Sequence, residues 1–234
     1  MPARKPPRNS RPRRSTKPRV AAGEWPRWQR RPTERRRQIL DAAIAVFSRR
    51  GFDSATLAHV ADEAGVSVGT VAHYFGSKAD LFEEALQDHF LAEVSGAEAL
   101  LAAHQGSRAS LLRKLLERMW RHLNQPGTAD LLLTGLVRSA ECPSCGVMCR
   151  ETSERWRRVL ESVIGAGLAA GEFVPADPAL QARLISSGLF GLTLNIRHFG
   201  RYEAPPPDAD RLLAQYLDTV DRALAVHPAP ADPS

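Results

Sequence analysis

With 234 residues, 43% of them hydrophobic, the chain can bury a sizeable core, and a usual domain length of roughly 100–200 residues leaves room for two modest domains. The net charge of +6 hides an asymmetry: residues 1–37 hold 14 Lys/Arg against Glu24 and Glu34, and the remainder is acidic, so a polyanion partner is expected at one end only. No secretory leader or membrane span is expected, because no apolar core follows the basic start and uncharged stretches such as Leu184–Ile196 fall short of the ~18 residues a span needs; the chain reads as cytoplasmic.

Residues 1–31 mix Pro, Arg and Ser with hardly any aliphatic side chains, so they cannot offset their ordering entropy and read as a disordered basic arm. Two readings stand for it: a cationic tether that collects phosphates or enters a minor groove, or a solvated tail. Trp25 and Trp28 give its end groups with which to touch a partner. Thr33 and Glu34 then suit a helix start, and Ile39, Ala42, Ala43, Val46 and Phe47 repeat with the period of one buried helix face as far as Gly51.

The same period recurs in Leu57, Val60, Ala61 and Ala64, with Thr56 placed to cap the first free N–H groups. Gly65 sits where the chain must turn sharply, at a positive φ that costs glycine little. Ser67 caps a second short helix whose Val71 and Phe75 face inward, leaving Ser67, Val68, Gly69, Thr70, Ala72 and His73 outward. Ala61, Gly65 and Val71 suit two helices that cross steeply and almost touch. A helix-turn-helix needs that crossing to offer its second helix to a major groove, although a plain buried αα-hairpin shares it. Ser77 caps a further helix running through Leu81, Phe82, Ala85 and Leu86 to about Ala103. Lys78 in its first turn opposes the helix dipole, and a phosphate held between the ammonium and the free N–H groups would account for it.

Residues 33–86 resemble the DNA-binding domain of the tetracycline-repressor (TetR) family. The resemblance rests on Ile39-Leu40-Asp41-Ala42-Ala43, Phe47, Gly51-Phe52, Val60-Ala61, Ala64-Gly65-Val66-Ser67, Gly69-Thr70-Val71, His73-Tyr74-Phe75 and Ser77-Lys78-Ala79-Asp80-Leu81-Phe82, about a quarter of the chain. It implies a homodimeric, ligand-responsive transcriptional regulator, usually a repressor, with an all-helical second domain. It also implies roles: Thr56 at the DNA backbone, Ser67, Val68, Gly69 and Thr70 opening the recognition helix, His73 and Tyr74 against phosphates, and Lys78 clamping another. Ala72 departs from the family, which commonly has tyrosine there; without that ring either affinity is lower or the basic arm compensates. The outward set also lacks Arg, Asn and Gln, so specificity would rest on thymine methyls and DNA shape.

Apolar periodicity marks further helices from about Arg108 through Leu123, over Leu131–Val137, and through Trp156 and Ile164 to Gly171. Asp177 and Pro178 cap another that runs to about Phe199, and Pro207 and Asp208 begin the last. Two readings stand for this final pair. Either it forms the dimer interface, through Gly188 and Gly191 and the stripe Leu213, Tyr216, Leu217 and Val220, or it completes the subunit core.

All three cysteines fall within eight residues, at Cys142, Cys145 and Cys149, between two expected helices. Their odd number suits a reducing compartment. Three thiolates could hold Zn²⁺ or Cu(I), with His104, His122 or Glu141 as a fourth ligand, or one pair could oxidise as a switch. Small buried hydrophobes are the plain alternative. An organic effector is otherwise expected in a pocket of the second domain touching Trp120, Trp156, Phe190 or Asn195.

An all-α protein is therefore expected: arm over 1–31, three-helix helix-turn-helix DNA-binding domain over 32–78, helical effector-binding and dimerisation domain over 79–226, and a disordered tail over 227–234. Its expected partners are double-stranded DNA, a second copy of itself and a small-molecule effector, with no membrane. A sequence-tolerant architectural DNA binder is the alternative from another class. No Gly-rich phosphate loop, nucleophile elbow or metalloprotease motif suggests an enzyme.

Overall fold

The computed structural model describes residues 27–140, 142–199 and 208–224, apart from the side chains of 27–32, 198 and 199. The expected tail, and the expected arm up to residue 26, lie outside the described residues, as does Glu141. Two units form, Met1–Arg35 and Arg36–Ser234. Among the described residues every regular element is helical: α1 (Arg27–Ser54), α2 (Leu57–Ala64), α3 (Val68–Phe75), α4 (Lys78–Ala103), α5 (Arg108–Leu123), α6 (Thr128–Arg138), α7 (Pro143–Ala169), α8 (Pro178–Leu194) with a π-helical turn (Asn195–Phe199), and α9 (Ala209–Leu224). None of them is long and apolar enough to cross a membrane.

Most boundaries follow from local chemistry. Thr56 Oγ1 accepts from His59 N–H at 3.2 Å, and Ser67 Oγ accepts from Thr70 N–H at 3.1 Å. Ser77 and Asp80 form a reciprocal capping box, each accepting from the other's N–H at 3.2 and 3.1 Å respectively. Asp177 accepts from Ala179 and Leu180 N–H ahead of Pro178. The start of α1 differs: it begins at Arg27, upstream of Thr33. Arg and Gln are strong helix formers that carry the helix through turns without an apolar stripe, so periodicity does not reveal them. The helical backbone breaks at Gly51 (φ 72, ψ 167), as expected.

Two apolar cores occupy the larger unit. The first joins Ile39, Ala43, Val46 and Phe47 of α1 with Val60, Ala61, Ala64, Val71 and Phe75 of α2–α3 and Leu81, Phe82, Ala85 and Leu86 of α4. It continues into Leu131 of α6 and into Cys142, Cys145, Met148 and Cys149 of α7's first turns, so the helix-turn-helix core does not end where its domain does. The second gathers the rest of α4 and α7 with α5, α8 and α9. The two regions also meet at Gly127, which starts α6 at φ 82. A Cβ there would lie 2.1 Å from that of Ser48 on α1, so only glycine permits the approach.

The stripe on α9 packs largely within the subunit. Leu217 and Val220 are buried within the subunit, Leu213 and Tyr216 pack against the same core, and the Tyr216 hydroxyl donates to Ile185 O. Gly188 faces that ring, 2.9 Å separating Tyr216 Oη from the position of a Cβ. These residues therefore contribute to the subunit core. Among the described residues α8 leaves apolar surface uncovered, with Leu180 and Leu184 52% and 58% exposed on one face with Ser187 and Gly191; Val137 of α6, at 78%, is another exposed apolar side chain.

Candidate nucleic-acid interface and effector pocket

The turn between α2 and α3 is closed by Gly65 (φ 64, ψ 37), with Val66 N–H donating to Ala61 O at 2.9 Å. Gln38 Nε2 of α1 donates to Ala64 O at 2.7 Å, and an Arg49–Glu63 ion pair ties α1 to the same helix. α3 is thus fixed from behind by Val71 and Phe75 and from its start by Ser67. Its free face carries Val68, Gly69, Ala72 and His73, all exposed, with Ser67 and Thr56 exposed beside it. Thr70 is half-buried and its hydroxyl lies 2.9 Å from that of Ser67. Tyr74 is half-buried, packs against the core and meets His73 edge-on at 5.6 Å.

Lys78 departs from expectation. Its ammonium donates to Phe52 O at 2.9 Å and Asp53 O at 3.2 Å and lies 4.5 Å over the Phe52 ring. Its partners are therefore backbone carbonyls just past the Gly51 break in α1, a pairing inside the protein. Lys78→Met is accordingly expected to lower the stability of the DNA-free protein by about 1–2 kcal/mol. Urea unfolding without DNA measures it, and an unchanged midpoint would count against the anchoring role.

A second feature is a cavity of about 230 Å³ walled by α4, α5, α6, α7 and α8. Phe90, Trp156 and Phe190 give it aromatic walls, Met119, Leu123, Leu132 and Leu136 aliphatic ones, and Thr152, Ser153, Ser186 and Ser187 hydroxyls. Arg157 is the charged side chain in the lining, and none of the lining residues is a carboxylate. His122 lines it at 7% exposure, and its Nε2 has no partner among the described residues. Burial, then the neighbouring His89 and Arg118, push its pKa down to about 3, so the imidazole is neutral. The His89 ring is 4.6 Å away, and His89 Nε2 is 3.2 Å from Thr128 Oγ1.

The family model described as "Bacterial regulatory proteins, tetR family" matches residues 39–85, and the one described as "BetI-type transcriptional repressor, C-terminal" matches residues 107–225, about half the chain. The HTH-type transcriptional regulator BetI of Burkholderia mallei (strain NCTC 10229) is 30% identical over 193 residues, 82% of this chain and 94% of that one. The chain belongs to the tetR family of bacterial regulatory proteins. It is a DNA-binding transcriptional regulator and not an enzyme. Two solved structures at lower identity share the tetR-family fold. A protein from Saccharomonospora viridis described as a transcriptional regulator, in complex with choline, has a TM-score of 0.73 at 22% identity, covering 83% of this chain and 100% of that one. FadR of Bacillus subtilis, in complex with stearoyl-CoA, has a TM-score of 0.61 at 19% identity, covering 82% and 99%.

Of the pocket residues expected in this tetR-family chain, Trp156 and Phe190 line the cavity, whereas Trp120 is in the second core and Asn195 is exposed at the start of the π-helical turn. Trp120 is one residue, about 100°, from Met119, which does line it. Phe90, Arg157 and the pairing of His122 with His89 were not anticipated. A single histidine on an apolar helix face reads as core, and its unpaired nitrogen is visible only in three dimensions.

The cysteines also differ from expectation. They are not between helices: Cys142 caps α7, Pro143 occupies its first turn, and Cys145 and Cys149 lie inside it. Cys142 and Cys145 form a disulfide, while Cys149 is free, buried and at the cavity wall. Among the described residues, the ligand-type atoms that come within 4.8 Å of one another are those of Glu83, Cys142 and Cys145. His104 is instead beside Ser107 O, and His122 in the cavity. The three sulfurs considered for Zn²⁺ or Cu(I) do not come together here as one ligand set: two are bonded to each other and the third lies at the cavity wall.

Proposed function

We propose that this chain is a ligand-responsive repressor that binds a near-palindromic operator as a homodimer. In this reading Val68, Gly69, Ala72 and His73 face base edges, and Thr56, Ser67, Thr70 and Tyr74 meet the backbone. The one Lys78 N–H not used on α1 remains for a phosphate. The second copy covers the outer face of α8 at Leu180, Leu184, Ser187 and Gly191 and the α8–α9 rim. The observation that carries the proposal is that α4 serves both sites: Leu81, Phe82 and Ala85 lie in the helix-turn-helix core, and Phe90 lines the cavity. A ligand that moves α4 therefore moves α3, and a coupling of only about 1–3 kcal/mol makes a useful switch.

The effector is an apolar or aromatic molecule that carries an uncharged or anionic polar group, which meets His122 Nε2 in the depth and Arg157 at the rim. The choline-bound relative raises a quaternary ammonium as the alternative, and three aromatic rings favour it. The lining here, with an arginine and no carboxylate, does not.

Selection of genomic fragments by the purified protein, followed by titration of the best fragment against random DNA across salt, tests the operator. A short inverted repeat bound at least about 10³-fold more tightly than random DNA is expected. Indifferent binding that vanishes with salt would mark an architectural binder instead. Val68→Thr is expected to change which repeats are selected, and equal loss on every sequence would overturn the base-facing role. Acyl and aromatic carboxylic acids are expected to weaken operator binding at least fivefold, and Trp156→Ala to abolish that response. A response to choline alone would overturn the effector class.

A further inference from the structure

We propose that Cys142 and Cys145 are a redox-active dithiol through which a hydroperoxide changes operator affinity. The pair forms a Cys-Pro-Ser-Cys turn at the start of α7, with Cα atoms 5.5 Å apart, within the range a disulfide requires. Cys145 N–H donates to Cys142 Sγ at 3.3 Å, a bond at the helix N-terminus that offsets part of the repulsion a thiolate there meets from the Glu83 carboxylate. Cys142 keeps 8% of its surface and is flanked by exposed Pro143 and Ser144, so a small oxidant reaches it.

A second observation concerns Glu83, on α4. Its Oε1 lies 2.9 Å from Cys142 Sγ, and its Oε2 accepts from Ser144 Oγ at 2.6 Å. A thiol at Cys142 donates to that carboxylate, whereas a disulfide sulfur has no proton to give. The two redox states therefore differ in a bond between α7 and α4. That difference sits within the helix-turn-helix core, because Cys142 and Cys145 pack in it with Phe82, Ala85 and Leu86. Four residues beyond Cys145, Cys149 faces the cavity, so the same helix joins the thiols to the effector site. Burial pushes the Cys149 thiol pKa up, which sets it apart from the reactive pair.

The chemistry balances with a hydroperoxide as oxidant. The Cys142 proton passes to Glu83, and the thiolate attacks the terminal peroxide oxygen. The O–O bond breaks, the alkoxide leaves with the proton from Glu83 as an alcohol, and Cys142 becomes a sulfenic acid. Cys145 attacks that sulfur, the S–S bond forms and the S–O bond breaks, and the oxygen leaves with the Cys145 proton as water. The two sulfurs lose two electrons and the peroxide gains them. A dithiol reductant reverses the step by exchange.

The test uses the full chain, reduced with a dithiol, freed of it, and then exposed to cumene hydroperoxide. Alkylation and mass spectrometry are expected to show two thiols lost at Cys142 and Cys145 with Cys149 still alkylated. Operator affinity is expected to shift at least about fivefold and to recover on reduction. Cys142→Ser and Cys145→Ala are each expected to remove the shift. Thiols at 142 and 145 that stay alkylatable would overturn the proposal, as would a disulfide that leaves operator affinity unchanged. Protection of both thiols by Zn²⁺ alone, with no hydroperoxide response, would make the site a metal site and overturn it too. The switch rests on the operator reading, and thiol counting and DNA titration are separate readouts, so failure of either is distinguishable.

Discussion

Phe82→Ala is expected to destabilise the protein by about 3–5 kcal/mol and to abolish operator binding at temperatures where the native chain still binds. Phe82 is 2% exposed at the meeting point of α1 and α4. Its ring is edge-on to Phe47 at 5.0 Å and to Phe52 at 5.1 Å, contacts that add to the transfer free energy of the buried ring. Phe52 in turn carries the Lys78 ammonium at 4.5 Å and the Arg138 guanidinium at 3.8 Å over its ring. Emptying the site leaves a cavity beneath Phe52 and loosens the end of α1, against which α2 and α3 are set. Thermal unfolding reads the effect: a chain of this length shifts by about 2–4 °C per kcal/mol, so a fall on the order of 10 °C is expected. Phe82→Leu, which keeps most of the volume, is expected to lose well under half as much. Equal losses for the two variants would mean that filling the space contributes nothing and that the ring contacts carry the whole effect.

The sequence made legible those features whose cause lies within a few residues of one another. Thr56, Gly65, Ser67, Ser77 and Asp177 cap or turn the chain through bonds to neighbours two to five positions away, so the boundaries of α2, α3, α4 and the start of α8 were readable. The helix-turn-helix and its exposed face followed from them. Features caused by distant residues were not readable. The ammonium of Lys78 meets carbonyls 26 and 25 residues earlier, and Glu83 meets a cysteine 59 residues later. No local pattern announces either. The α9 stripe shows a different limit. Periodicity says that Leu217 and Val220 are buried, but a neighbouring helix of the same subunit and a second copy would cover the same stripe. Cys142 could have been placed better, since Pro143 after it marks a helix start; cysteine is not a usual cap, and that obscured the signal. The cavity was legible only in part, because five helices must be set before the face that borders a void can be known.

Acid is expected to weaken the native chain already between pH 6.5 and 4.5, and His122→Leu is expected to remove much of that weakness. The His122 pKa is about 3 in the folded protein, against an ordinary 6.5, because burial disfavours the imidazolium and His89 and Arg118 lie nearby. Below pH 6.5 the unfolded chain takes up a proton that the folded chain refuses, so stability is lost as pH falls towards 3. At about 1.36 kcal/mol per pH unit, the loss at pH 4.5 is roughly 2–3 kcal/mol. His89 adds in the same direction, since burial lowers its pKa too, with Asp88 and Asp41 opposing. Glu98, held low by its hydrogen bond from Arg155, and Glu172, held low by Ser107, lose their contributions only below their ordinary 4.5. The window from pH 6.5 to 4.5 therefore isolates the two histidines. Urea unfolding across it should give His122→Leu a slope shallower by nearly one proton, and parallel slopes would mean that His122 is protonated in the folded state. The same neutrality matters for the effector. A ligand group bonded to His122 Nε2 meets an imidazole that stays uncharged through this window, so the affinity of an effector that does not itself titrate should be flat from pH 6.5 to 4.5 wherever the protein remains folded.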